Sequence, residues 1–240
     1  MLGSLAASGA AAAQTCATPP SCETLGFTKS ETDCDGLEAL KCPFDQSKLY
    51  CPQGGGNMSA AAPGAILYSD GTISDSVIAS KTPVGIVAYV NGSTGFAVAL
   101  TESNQTWGGY GYNVSCLGDM DSGAASADMN GRVNTQCLVS DSQTHPAANY
   151  CNTFSAVSSG KGSSGWYLPA AGELKAMSYS YGAINLGLQK LSKTQISSNY
   201  YWSSSEYSTN YAWDVRPSDG YMDYSYVRTN SRPVRCVLAL

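Results

Sequence analysis

Short stretches of alternating apolar and polar residues run along most of this chain, separated by glycine, asparagine and aspartate. Ala65–Ser69, Val84–Val90 and Gly95–Thr101 read as strands. Asp70-Gly71 follows the first, and Asn91-Gly92-Ser93-Thr94 joins the other two. Such residues favour hairpins because tight turns need φ > 0 at their centre. Three stretches read as helices. His145–Val157 has Pro146 at an N1-like position and apolar Ala148, Cys151 and Phe154. Pro169–Ser178 carries Leu174 and Met177 on one face, and Ala183–Leu191 is shorter. Trp107–Tyr112, WGGYGY, reads as a loop that brings rings and backbone together, and Asn113–Thr144 as a long irregular region.

The C-terminal stretch predicts four further strands: Tyr201–Tyr207, Tyr211–Arg216, Tyr221–Arg228 and Pro233–Leu238. Ser208-Thr209-Asn210, Pro217-Ser218-Asp219-Gly220 and Thr229-Asn230-Ser231 separate them. Pro217 presets the second position of a type I turn, and Gly220 suits the left-handed position after it. Within Tyr211–Arg216 the alternation puts Tyr211, Trp213 and Val215 on one face and Ala212, Asp214 and Arg216 on the other. Helices apart from antiparallel strands make the fold class α+β.

Composition divides the chain. Residues 1–15, MLGSLAASGAAAAQT, resemble the end of a secretory leader without its positive start. Residues 16–52 hold Cys16, Cys22, Cys34, Cys42 and Cys51 with too few apolar residues for a core, so disulfides must staple them. Residues 53–63 are a Gly/Ala/Ser linker, and 64–240 form the main domain. The other cysteines are Cys116, Cys137, Cys151 and Cys236; none of the nine forms a C-x-x-C pair, which favours disulfides in an oxidising compartment over a metal site. An odd count leaves one thiol over, or one in an intermolecular bond. No apolar run reaches the roughly eighteen residues a membrane span needs. With 13% charged residues, a net charge of −5 and no basic run, nucleic acid and anionic membranes are excluded as main partners. Secretion or display at the cell surface is the expected location.

Seven of the sixteen tyrosines fall in Tyr200–Leu240, among Ser, Asn, Asp and Arg and without lysine. Tyrosine offers large contact area with few torsions to freeze, and small polar neighbours add adaptable hydrogen bonds. That composition predicts a recognition surface for a protein or a cell-surface glycan, not an active site. Other chemistry is weaker. Asp119, Asp121, Asp128 and Asn130 have the spacing of calcium loops but lack the EF-hand glutamate, so calcium stands behind Asx turns, and no other cofactor is expected. His145 has no Gly-x-Ser-x-Gly elbow to serve and reads as structural.

An ordered series of fragments carries a family resemblance: Asn134-Thr135, His145-Pro146-Ala147-Ala148 with Cys151, Gly165-Trp166-Tyr167-Leu168-Pro169 with Gly172-Glu173-Leu174, Tyr201-Trp202-Ser203-Ser204-Ser205-Glu206, Ala212-Trp213 and Val234-Arg235-Cys236-Val237. From about Gly64 to Leu240 the chain resembles the Lcl C-terminal domain family. The resemblance implies a C-type-lectin-like fold of the formylglycine-generating-enzyme type, with antiparallel strands and two or three helices. It also implies likeness to variable proteins of diversity-generating retroelements, whose ligand-binding positions lie between scaffold residues. Here those positions are Tyr207, Asn210, Tyr211, Asp214, Arg216, Tyr221, Asp223, Tyr224, Tyr226 and Asn230. Asp214, Arg216 and Asp223 would set electrostatic selectivity. Trp202 and Trp213 would pack beneath the face, Glu206 would pair with Arg232 or Arg235, and Cys236 with Cys137 or Cys151. A formylglycine-generating-type oxidase and a subunit of a surface fibre are the alternatives. The first lacks the pair of redox cysteines that chemistry uses.

Overall fold

The computed structural model describes residues 61–92 and 94–240, together with strands β1 (Phe27–Lys29), β2 (Leu40–Cys42) and β3 (Asp45–Pro52). Two compact units result, Met1–Gly55 and Gly56–Leu240. In the first, β3 lies between β1 and β2 and runs antiparallel to both. The leader expected at 1–15, the cysteine pairing within 16–52 and most of the 53–63 linker lie outside the described residues.

The second unit is built on a six-stranded antiparallel sheet. β4 (Ile66–Tyr68), β5 (Ile73–Ser74), β6 (Pro83–Asn91) and β7 (Thr94–Ala99) follow one another, and β9 (Trp166–Tyr167) and β14 (Val237–Ala239) complete it in the order β5-β4-β6-β7-β14-β9. The last strand thus inserts between β7 and β9, with Val237 opposite Val98 and Tyr167. Both faces are covered, so β6 is buried continuously from Val84 to Ala88 instead of on alternate residues. Ile66, Ile86, Val98 and Val237 pack with Leu174 and Met177 of α4 (Ala171–Ser178) and Ile184 and Leu188 of α5 (Tyr181–Lys190). Leu67, Val84, Ala97 and Leu238 cluster instead with Leu138 of α2 (Gly131–Ser140) and Ala147 and Ala148 of α3 (Pro146–Thr153).

Five helices are present among the described residues where two or three are expected. α1 (Ser122–Ala127) and α2 occupy the stretch that reads as irregular. Asp121 caps α1 by accepting the Ala124 N–H at 2.8 Å. The buried side of α2 is Gly131, Asn134, Thr135, Cys137 and Leu138, so no apolar stripe marks it. Its polar members are bonded: Asn134 donates to Asp128, and Thr135 exchanges hydrogen bonds with the Leu168 backbone. α3 starts at Pro146 as expected.

The C-terminal strands need two corrections. β10 (Tyr201–Ser208) and β11 (Tyr211–Arg216) form as read, but Tyr221–Arg228 yields only β12 (Tyr221–Asp223). The Asp223 carboxylate accepts the N–H groups of Tyr224 and Ser225, which curls the chain out of the ladder. Pro233–Leu238 splits into β13 (Ser231–Val234), paired with β8 (Ser103–Thr106), and β14. At the break Cys236 is bonded to Cys151, and buried Arg235 donates to the carbonyls of Ala99 and Thr194. Cys137 pairs with Cys116.

Candidate recognition surface

Alternation along β11 decides what each side of the β10-β11-β12 sheet presents. Tyr201, Trp213 and Val215 enter the core shared with α4, whereas Trp202 and Ala212 belong to the other cluster. Trp202 lies opposite Asp214, Asp214 opposite Asp223, and Arg216 opposite Tyr221, so these residues share one face. Both tryptophans are buried, as expected, but on opposite sides.

On the Asp214 face, rings and guanidinium groups alternate. The Arg216 guanidinium carbon lies 5.4 Å from the Tyr221 ring centre and 5.3 Å from that of Tyr200. Arg232, from β13, lies 5.0 Å from Tyr200 on the next step and 3.8 Å from Tyr226. The sequence Tyr221, Arg216, Tyr200, Arg232, Tyr226 is therefore a continuous ladder of cation–π contacts. Each cation is also held by a carboxylate. Asp219 clamps Arg216 through Nε and Nη2, and Asp214 Oδ2 sits 2.5 Å from Arg232 Nε. The turn that delivers Asp219 has the expected form, with Gly220 at φ +73° and its N–H on the Arg216 carbonyl. Tyr221 and Tyr226 remain 57% and 37% exposed at the ends of the ladder, so their rings are presented without being used to fill the core.

Asp214 is not the exposed selectivity residue expected from the sequence. It is fully buried under Arg232, neither carboxylate oxygen makes a hydrogen bond of good geometry among the described residues despite the close Arg232 charge, and burial pushes its carboxyl up to about 7 against the pull of Arg232. Three neighbouring strands cover it, which the alternation in β11 alone does not reveal. Asp223 is folded into its own loop. Burial raises its carboxyl, but bonds from Ser225 and the Tyr224 N–H outweigh this and leave it below the usual range. Tyr207 and Tyr224 lie away from the ladder, stacked at 4.0 Å and edge-on to Trp213. Half-buried Tyr211 bridges to Val227, and the backbones of Asn210 and Asn230 tie down the loop that carries Tyr226. The ten expected positions therefore split: Asp214, Arg216, Tyr221, Asp223 and Tyr226 come together, and the others do not.

Tyr200 and Arg232 are the site members the sequence reading missed. Arg232 sits 18 positions beyond Asp214, and nothing in a single sequence signals that β13, paired with β8, brings its arginine to Asp214. Tyr110 and Tyr112, both exposed, are also brought near this segment, because Gly111 donates to the Thr209 carbonyl.

Glu206 pairs with neither Arg232 nor Arg235 but with Arg228, and both side chains are wholly buried. Arg228 also donates to the carbonyls of Ser208, Tyr211, Gly109 and Tyr112, and its guanidinium lies 4.2 Å from the Trp107 ring centre. Burial raises the Glu206 carboxyl, opposed by hydrogen bonds from Arg228 and the Val114 N–H. The loop needs its glycines here. At Gly109, with φ +60°, a Cβ would lie 2.5 Å from the His145 ring. That histidine is buried against Trp107 and bonded to Asp141 through Nε2, in keeping with a structural role. Two of the four side chains considered for calcium are engaged within the protein: Asp121 caps α1, and Asp128 accepts from Asn130 N–H, Asn134 and Ser205.

Glu173, at the start of α4, resembles Asp214 in its burial. Its carboxyl is pushed up to about 7, although the Ala170 N–H and the Tyr167 hydroxyl bond to it. The ordinary values are 4.5 for Glu173 and 3.8 for Asp214, so the folded chain holds protons that the unfolded chain releases. The stability these two groups contribute should therefore be complete below about pH 4 and be lost as pH rises from there to about 7, by up to about 1.4 kcal/mol per pH unit for each group, with no further loss above that. Urea unfolding at pH 5 and pH 8 measures this, and Glu173→Gln should flatten the slope.

No curated protein matches the chain. Among solved structures it is similar to a fimbrial protein from Bacteroides ovatus ATCC 8483, at a TM-score of 0.61 and 18% identity, over 73% of this chain and 48% of that one. The chain thus spans about half the length of that protein, and the likeness is one of fold. The model of the Lcl C-terminal domain matches residues 111–238, which takes in the helices α1–α5, the Glu206–Arg228 pair and every residue of the ladder. The chain belongs to the Lcl C-terminal domain family.

Proposed function

We propose that this chain is a non-enzymatic recognition protein, exported to the cell surface or secreted, which binds a protein or glycan ligand through the tyrosine–arginine ladder. The observation that carries the reading is the pre-ordered alternation of Tyr221, Arg216, Tyr200, Arg232 and Tyr226 on a fixed sheet. Rings already held by neighbouring cations lose little freedom on binding, and their outer faces supply apolar contact area. Two disulfides in the second unit agree with an oxidising compartment. We read the fold as C-type-lectin-like, with the N- and C-terminal strands of the domain joined in one sheet. Fold alone does not bring calcium-bridged sugar binding with it.

Screening the full chain against arrays of surface glycans and extracellular proteins tests the proposal. Ligands captured by the wild type should be lost, at least tenfold, in Tyr221→Ala/Tyr226→Ala, while the Tm moves by only a few degrees. Capture that survives the double variant would contradict it. Retroelement diversification is a further part of the reading, tested by looking beside the gene for a reverse transcriptase and a near-copy of the codons for 200–235. The fold likeness to a fimbrial protein favours a second reading, a component of a surface fibre. Under it, purified chain should assemble into polymers visible by electron microscopy.

A further inference from the structure

The two disulfides of the second unit sit in opposite environments. Cys151 and Cys236 are 0% and 1% exposed, inside the core between α3 and β14. Cys116 is exposed on the loop that runs from Tyr112 to Asp121, and the bond it makes reaches inward to Cys137, which is 9% exposed in α2. That loop is no passive connection. Its Val114 N–H reaches both oxygens of Glu206, its Met120 N–H donates to the Glu206 carbonyl, and its Met120 carbonyl accepts the indole N–H of Trp213. The Tyr112 carbonyl at its start is one of the acceptors of Arg228, which in turn holds the Tyr211 carbonyl. A covalent tether accessible from solvent thus anchors the backbone that satisfies the buried Glu206–Arg228 pair.

We propose that Cys116–Cys137 is a redox-exchange site, opened by small thiols, and that its opening loosens the loop beneath the tyrosine-rich face. An external thiolate attacks the exposed Cys116 sulfur, forming a mixed disulfide and releasing the Cys137 thiolate. A second external thiolate then attacks the small-molecule sulfur of that mixed disulfide. It leaves as the oxidised external disulfide, and Cys116 is freed as a thiolate. Two electrons pass from the two external thiols to the protein. Cys151–Cys236 is closed to the same attack because no thiolate reaches its sulfurs in the folded chain. The inference concerns the loop and stands whether or not the ladder binds the ligand proposed above.

The test is graded reduction of the full chain with dithiothreitol, alkylation of freed thiols and peptide mapping, followed by hydrogen exchange. Cys116 and Cys137 should be labelled at least tenfold faster than Cys151 and Cys236. In the selectively reduced protein the Val114 and Met120 amides should exchange at least tenfold faster, and reoxidation should restore them. Cys116→Ser/Cys137→Ser should show the fast exchange without reductant; if that variant does not fold, the reduced wild type decides. Equal labelling of both disulfides, or unchanged exchange at Val114 and Met120 after reduction, would overturn the proposal.

Discussion

Replacing Arg228 with alanine should lower the unfolding free energy by about 3–5 kcal/mol, the usual cost of removing one partner from a buried ion pair. The loss has two sources. Glu206 would keep its burial without its counter-charge, and the carbonyls of Ser208, Tyr211, Gly109 and Tyr112 would each lose a donor. Arg228→Lys should recover only part of this, because an ammonium group has three donors on a single atom and cannot span five acceptors. Urea unfolding with an unchanged m value would establish the size of the effect. A loss below about 1 kcal/mol would mean that water replaces the guanidinium. The consequence reaches the ladder, since Arg228 fixes the loop that carries Tyr226.

The second large effect concerns Cys151–Cys236. Its partners are 85 positions apart in sequence, and opening a loop of that size returns entropy to the unfolded chain worth about 4–5 kcal/mol. Cys151→Ala/Cys236→Ala should therefore lose roughly that much, measured under oxidising conditions. This bond also locks the last strand into the main sheet between β7 and the edge strand β9. Cys116–Cys137 spans only 21 positions, and its removal should cost about 3 kcal/mol.

Strands with a two-residue rhythm and turn residues at their ends were legible in the sequence. β11 and its turn into β12 appear within a residue of their expected bounds, and Gly220 takes the left-handed position foreseen for it. α1 and α2 were not legible, because α1 is built from small residues and α2 buries Asn134 and Thr135, so neither displays an apolar stripe. Their stability comes from partners remote in sequence, such as Leu168 for Thr135 and Ser205 for the Asp128 beside them. The site shows the same division. Tyr221, Tyr226 and Arg216 could be singled out by residue type, but the partners of the arginines could not. Finding the arginine that meets Glu206 requires knowing where the chain leaves the sheet. Arg232 or Arg235 is the expected partner, and Arg228 takes the place instead because the chain leaves the sheet at Asp223 and returns Arg228 to the interior.

Only Tyr201 among the seven C-terminal tyrosines is sealed in the core, so most of the others have an outer surface to offer. Hydroxyl-radical footprinting of the full chain, with and without a ligand captured on the arrays, asks most directly what that surface is for. Tyr200, Tyr221 and Tyr226 should be protected at least threefold on binding, while Tyr179, 83% exposed at the end of α4, should react as before. Protection at Tyr179 with none at Tyr221 and Tyr226 would place the ligand elsewhere and end the case for the ladder.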